Sequence, residues 1–133
     1  MKNYLAIDYG TSKIGLAISD SETKVCLPYK ILSEIDFWDS IENIIKERNI
    51  DEIVLGVPKN LSGEDTKQTE ITMNFFEKLK SKVNKPIHLE DERITSRFAN
   101  NLRKDIGMKN LGAEDDSSAA LILDSFLKRN YGM

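Results

Sequence analysis

The run Tyr4-Leu5-Ala6-Ile7-Asp8-Tyr9-Gly10-Thr11-Ser12-Lys13-Ile14-Gly15-Leu16-Ala17-Ile18-Ser19-Asp20 sets the architecture of this chain. Tyr4 to Ile7 is a short continuous apolar run, the pattern of a buried strand. It stops on a carboxylate, Asp8. Gly10-Thr11-Ser12-Lys13 reads as a turn, and beyond it Ile14, Leu16 and Ile18 recur with period two, so the two runs predict a hairpin. Asp8 then falls at the end of a core strand, held by rigid packing. An ionised carboxylate there needs a partner, because an isolated buried charge is strongly disfavoured. A metal cation or a phosphate-bound metal meets that need, and the rest of the chain reads as a source of further ligands and a cover for the site.

Outward from the hairpin, Val25-Cys26-Leu27-Pro28-Tyr29-Lys30-Ile31-Leu32 is β-leaning, and Pro28 marks it as an edge strand or a bulged one. Ser33 or Asp36 can cap a helix in which Phe37, Trp38, Ile41, Ile44 and Ile45 recur at helical spacing through Arg48. Ile53-Val54-Leu55-Gly56-Val57 is an apolar strand, and the strand-helix-strand order indicates a parallel βαβ unit. Pro58-Lys59-Asn60-Leu61-Ser62-Gly63 is a loop by composition. A helix over roughly Asp65 to Val83 follows, with Gln68, Ile71, Thr72, Phe75, Phe76, Leu79 and Val83 expected on its inner face. Ile87-His88-Leu89-Glu90 is a short strand with Asp91-Glu92-Arg93 at its carboxyl end. Thr95 or Ser96 can open another helix with Phe98, Leu102 and Ile106 inward, and Gly107 to Gly112 reads as a loop.

A last helix runs from about Asp115 to Arg129 with Ala119, Ile122, Leu123 and Phe126 inward, Lys128 and Arg129 complementing its dipole. The element order describes an α/β protein: a mixed five-stranded sheet with helices on both faces, an antiparallel meander first and parallel crossovers after it. That is the order of a ribonuclease H-like fold. In open sheets of this kind ligands collect at the carboxyl ends of strands.

The chain has 133 residues, a length that suits one domain spanning 1–133. Hydrophobic content is 40% and charged content 31%, the balance of a soluble globular protein. No apolar run approaches the roughly 20 residues of a membrane span, and the start of the sequence has no signal-peptide pattern. Cys26 is the only cysteine, so no intrachain disulfide forms and a cytoplasmic location is the expectation. With one histidine, His88, and one cysteine, a zinc site of soft ligands is disfavoured; a metal would be held by oxygen, which points to magnesium or manganese. The net charge of -3 and pI of about 5.3 argue against a non-specific nucleic-acid binder, whose footprint is basic, but not against a nuclease. Acidic metal ligands lower the formal charge, and bound cations restore it.

Three acidic groups fall at element ends: Asp8, Asp91-Glu92 and Asp115-Asp116. Such oxygen ligands suit two hard cations roughly 3.5–4 Å apart, a pair that can activate a water on one side of a phosphodiester and stabilise the leaving oxygen on the other. Each residue has a plainer reading on its own. Asp8 can be a turn residue, Asp115-Asp116 a helix N-cap, and Asp91-Glu92-Arg93 a solvated loop with a surface ion pair. Their combination at strand and helix ends favours the site.

These residues resemble a known family. Asp8 to Asp20 is similar to the opening motif of the YqgF family, also called RuvX-like, Holliday-junction-resolvase-like proteins associated with pre-16S ribosomal RNA cleavage in bacteria. Val54 to Gly63 resembles the family's Gly-Leu-Pro-x-Asn-x-x-Gly loop, and Gln68-Thr69 follows it as in the family. Asp91-Glu92-Arg93-Ile94-Thr95-Ser96 is similar to its Asp-Glu-Arg-Leu-Thr-Thr motif, and Asp115 to Leu123 to its closing Asp-x-x-Ala-Ala-x-x-Ile-Leu helix. The resemblance implies a ribonuclease H-like, divalent-metal nuclease that processes the 5′ end of pre-16S rRNA, or a resolvase of branched DNA. It implies Asp8, Glu92 and Asp115 as catalytic metal ligands for Mg2+ or Mn2+, Asp115 being preferred to Asp116 by its distance to Ala119-to-Leu123. Lys13 and Arg93 would meet phosphate, Lys59, Asn60, Ser62 and Gly63 would form a loop beside the site, and Arg97, Arg103, Lys104 and Lys109 are candidates for backbone contacts.

The loop before the last helix is often basic in the family. Here Met108 to Glu114 holds one Lys and one Glu. Resolvases act on two-fold junctions, so the resemblance also admits a homodimer.

Two rivals remain at this level. Asp8-Tyr9-Gly10-Thr11-Ser12 also resembles the phosphate loop of actin-like ATPases, but those need two domains to enclose ATP and this length suits one. The other rival is a ribosome- or nucleic-acid-associated factor without turnover, which the acidic pI favours.

Overall fold

The computed structural model describes residues 2–10, 12–20, 25–58, 66–91 and 114–131, with the side chains of 20, 114–117 and 131 excepted. β1 (Asn3–Tyr9) and β2 (Ile14–Asp20) pair antiparallel from Asn3↔Asp20 to Tyr9↔Ile14, the expected hairpin. The Gly10 N–H donates to the Lys13 carbonyl at 2.9 Å and closes the turn. β3 (Leu27–Leu32) adds antiparallel to β2, with the register shifting between Leu16 and Ala17. Pro28 lies beside that shift on an edge strand, where a missing N–H donor is tolerated. Val25 and Cys26 precede this strand rather than belonging to it.

α1 (Glu34–Glu47) starts at Ser33, whose hydroxyl accepts the Asp36 N–H at 3.2 Å, and buries Phe37, Ile41 and Ile44. β4 (Glu52–Val57) returns parallel to β1. α2 (Lys67–Lys82) is opened by a capping box between Thr66 and Thr69. β5 (Ile87–Asp91) runs parallel to β4, and α3 (Glu114–Tyr131) closes the described chain. The sheet order is β3-β2-β1-β4-β5, so the strand that carries Asp8 is central.

Strand alternation sorts the core into two layers. Leu5, Ile7, Ile14, Leu16, Ile53 and Leu55 meet Phe37, Ile41 and Ile44 of α1 and Phe75 and Leu79 of α2 on one face. Tyr4, Ala6, Ala17 and Val54 meet Ala119, Ile122, Leu123, Phe126 and Leu127 of α3 on the other. Each large apolar side chain so buried contributes roughly 1.5–3 kcal/mol. Helices therefore cover both faces, as the sequence predicts.

Two expectations for α2 are corrected. Ile71 is 40% exposed rather than inward, because the buried stripe of α2 runs through Thr69, Thr72, Phe75 and Leu79, and Ile71 sits about 100° around the helix from Thr72. α2 also begins at Lys67 instead of Asp65. The helix expected from Thr95 or Ser96 and the loop over 107–112 lie outside the described residues. Among the described residues no helix is long and apolar enough to cross a membrane.

Candidate active site

Asp8 is the third residue of an alternating set. Tyr4 and Ala6 pack under α3, so Asp8, two residues on, shares that face at the carboxyl end of β1. It is half-buried. Its antiparallel neighbour on β2 is Gly15. On the other side Ile7 pairs with Leu55 of β4, and the residue after Leu55 is Gly56. The carboxylate is thus flanked in both directions by residues that place no side chain beside it. A glycine inside a strand commonly marks close approach of a ligand or another backbone, and this pair is the feature that strand patterning alone overlooks. The signal was present: both glycines interrupt otherwise apolar runs.

The opposite face of the same strand end is clamped. The Tyr9 hydroxyl donates to Glu34 Oε1 at 2.9 Å, and Trp38 Nε1 donates to Glu34 Oε2 at 3.2 Å. The Tyr9 ring stacks on Phe75 with centroids 4.2 Å apart. Burial raises the Tyr9 phenol above its ordinary value, and the Glu34 carboxylate raises it further, so Tyr9 remains a hydrogen-bond donor. β1 is therefore tied to α1 and α2 at the residue next to Asp8.

Lys13 is exposed on the turn between β1 and β2, on the same end of the sheet as Asp8. On β5, Gly56 pairs with Glu90. Glu90 is buried, accepts the Ser125 hydroxyl at 2.8 Å and forms an ion pair with Arg129. Asp91 pairs with Val57, whose odd-numbered set Ile53 and Leu55 faces α1 and α2, so Asp91 lies on the face opposite Asp8. Asp115 and Asp116 lie in the first turn of α3, which begins at Glu114, so they are helical residues rather than the cap. Carboxylates in a first turn are favoured by the helix dipole.

Glu92, Arg93, Arg97, Lys59, Asn60, Ser62, Gly63, Arg103, Lys104 and Lys109 lie outside the described residues, as does the side chain of Asp115. Among the described residues no group of three His, Cys, Asp or Glu side chains could hold a metal. The soft donors are engaged elsewhere. His88 Nε2 meets Glu52 Oε1 at 2.5 Å and its ring packs 4.9 Å from Phe126. Burial pushes the Cys26 thiol up to about 11. The donor at the strand end is a hard oxygen, which fits magnesium or manganese.

A family model described as RuvX, Holliday junction resolvase, matches residues 2–129. A relative from Rickettsia africae named "Putative pre-16S rRNA nuclease" is 38% identical over 129 residues, covering 92% of this chain and 84% of the relative. One of the same name from Rickettsia typhi is 40% identical, covering 92% and 83%. Among solved structures, Thermus thermophilus RuvC in complex with a Holliday junction substrate superposes with a TM-score of 0.60 at 9% identity, over 98% of this chain and 97% of that one. The yeast mitochondrial Holliday junction resolvase gives 0.54 at 11% identity, over 98% and 81%. At such identities the structural likeness speaks to the fold, which is ribonuclease H-like as the element order predicts. The sequence match over nearly the whole chain speaks to descent, and on that ground this chain belongs to the RuvX family of nucleases.

Proposed function

We propose that this protein, as a single domain over 1–133, is a divalent-metal-dependent nuclease that hydrolyses phosphodiester bonds in structured RNA, processing the 5′ end of pre-16S rRNA in the cytoplasm. The observation that carries the reading is Asp8: a half-buried carboxylate at the carboxyl end of the central strand, flanked by Gly15 and Gly56, in a RuvX-family chain. The name the Rickettsia relatives bear supplies the substrate class.

Asp8, Glu92 and Asp115 are the residues that hold Mg2+ or Mn2+. Glu92 is preferred to its neighbour because Asp91 is on the opposite sheet face from Asp8. Asp115 is preferred to Asp116 by its family spacing. Divalent ions supply Lewis acidity at the attacking and departing oxygens of a phosphodiester. Lys13 and Arg93 neutralise the charge that builds on the phosphate, Arg93 through a planar fork suited to phosphate oxygens. Lys59, Asn60, Arg97 and Lys109 hold the nucleic-acid backbone, giving affinity without reading sequence.

A second reading, resolution of four-way DNA junctions by a homodimer, is favoured by the family description and by the likeness to RuvC. Cleavage of a labelled pre-16S fragment and of a four-way junction, with magnesium, manganese or chelator, separates them. Metal-dependent cutting that Asp8→Asn lowers by more than about a hundredfold, the upper range for merely outer-shell changes, is the expected result with unchanged thermal stability. Preference for the junction would move the substrate to DNA. A folded wild-type protein that binds but cuts neither would make it a non-catalytic factor.

A further inference from the structure

α3 rests on the sheet through an apolar set: Tyr4, Ala6, Ala17 and Val54 below, Ala119, Ile122, Leu123, Phe126 and Leu127 above. Apolar contact is non-directional, so it ties no single atom of α3 to one on the sheet in the way a hydrogen bond or ion pair does. The contacts of α3 with β5 are different. Facing it there are His88 and Glu90, both polar. Glu90 Oε2 accepts from Ser125 at 2.8 Å, and Glu90 Oε1 is paired with Arg129, one helical turn further on. One carboxylate therefore grips two successive turns of one helix face.

The Glu90 side chain is 1% exposed whereas that of Arg129 is 55% exposed. Burying a carboxylate is costly, and replacing a buried ion pair with well-packed apolar residues is often neutral or stabilising. Stability alone therefore gives no reason for a charge at this position. The sequence points to one: β5 leads from Glu90 directly into Asp91-Glu92, and α3 carries Asp115 in its first turn.

We propose that Glu90, with Ser125 and Arg129, is a positioning residue that fixes the advance and rotation of α3 against β5, and so the relation between the two elements that carry Glu92 and Asp115. This rests on the reading of those two residues as metal ligands. A slip of one residue along a helix moves every side chain by about 1.5 Å and turns it by about 100°. A misplacement on the order of 1 Å is enough to cost a reaction about a hundredfold.

The test is a charge-free pair, Glu90→Leu with Arg129→Met, beside Glu90→Gln and Arg129→Lys. Thermal unfolding, amide hydrogen exchange in residues 114–119, and the manganese concentration for half-maximal cleavage are measured on each. The double variant is expected to unfold at or above the wild-type temperature. Exchange in the first turn of α3 should nonetheless quicken, and the manganese requirement should rise about tenfold or more. Arg129→Lys, which keeps the charge, should recover part of both. Wild-type exchange together with a wild-type metal requirement in the charge-free pair would overturn the proposal. If the wild type cuts nothing, the nuclease reading falls separately, and the exchange comparison still decides whether Glu90 fixes the helix.

Discussion

A methyl group on Gly10 would sit 2.7 Å from the Lys13 carbonyl oxygen, the same atom that accepts the Gly10 N–H. The obstacle is backbone, not the flexible end of a side chain, so the turn itself must open. Gly10→Ala is expected to destabilise the protein by about 1–3 kcal/mol, the range for forced overpacking, as read by urea denaturation. A loss within experimental error would mean that the hairpin turn gives way freely. Gly10 and Asp8 were legible in the sequence because each interrupts a pattern: a glycine between two strands, a carboxylate closing an apolar run. Glu34, Glu90 and Arg129 were not. Tyr9 lies 25 residues from Glu34, whose other partner Trp38 is an ordinary i, i+4 neighbour, and Arg129 lies 39 from Glu90; no local spacing encodes the two long-range pairs. Arg129 read as a helix-dipole cation, which its place in the last turn still satisfies, but its ion pair with Glu90 became visible only once the sheet was assembled.

At the scale of elements, the start of α2 shows how a loop is attached to a strand. Thr66 and Thr69 satisfy each other's backbone N–H groups at 3.3 and 2.9 Å, and the Thr69 hydroxyl also donates to the Pro58 carbonyl just past β4. Thr66→Ala should cost about 1 kcal/mol, the usual value of an N-cap. Thr69→Val should cost about 1–2 kcal/mol, since it also leaves the Pro58 carbonyl without its donor. Because the two residues share one network, the double variant should lose less than the sum of the singles. Thermal or urea denaturation of the four proteins checks this, and strict additivity would show that the box does not act as a unit. The sequence predicted a helix here but misplaced Ile71. Ile71 reads as inward by its apolar side chain and Thr69 does not, whereas the buried stripe runs through Thr69 as well as the expected Thr72. Helical phase is fixed by what the sheet offers, and a mixed polar-apolar stripe leaves that phase poorly marked. α3 was the easier case, because Ala119, Ile122, Leu123 and Phe126 repeat without a competitor and all four are buried.

Across the whole molecule, the two ends of the parallel strands carry different groups. Asp8 stands at the carboxyl end of β1. At the amino end of β4, Glu52 is buried and meets Lys2 at 2.6 Å and His88 at 2.5 Å, joining the segment before β1 to β4 and β5. The antiparallel start, the parallel crossovers and both helix layers were legible because short connections and right-handed crossovers leave few topologies open. The Glu52 cluster was not, because a carboxylate beginning a strand looks like ordinary flanking polarity. Burial by itself would raise the Glu52 carboxyl, but hydrogen bonds from Lys2 and His88 outweigh it and hold the group below its ordinary value of 4.5. Folded Glu52 thus binds its proton less readily than unfolded Glu52. The stability it contributes is complete above pH 4.5 and is lost as pH falls from there through the lowered folded value. Glu52→Gln should therefore flatten the acid limb of stability against pH relative to wild type, while cleavage at neutral pH stays as it was, since the proposed site is at the other end of the sheet. Urea unfolding from pH 7 down to about pH 3, across the carboxylate range, measures the limb. Parallel wild-type and variant limbs would mean that Glu52 keeps its ordinary affinity for protons in the fold. A loss of cleavage at unchanged stability would mean that the two ends of the sheet are not separate in function.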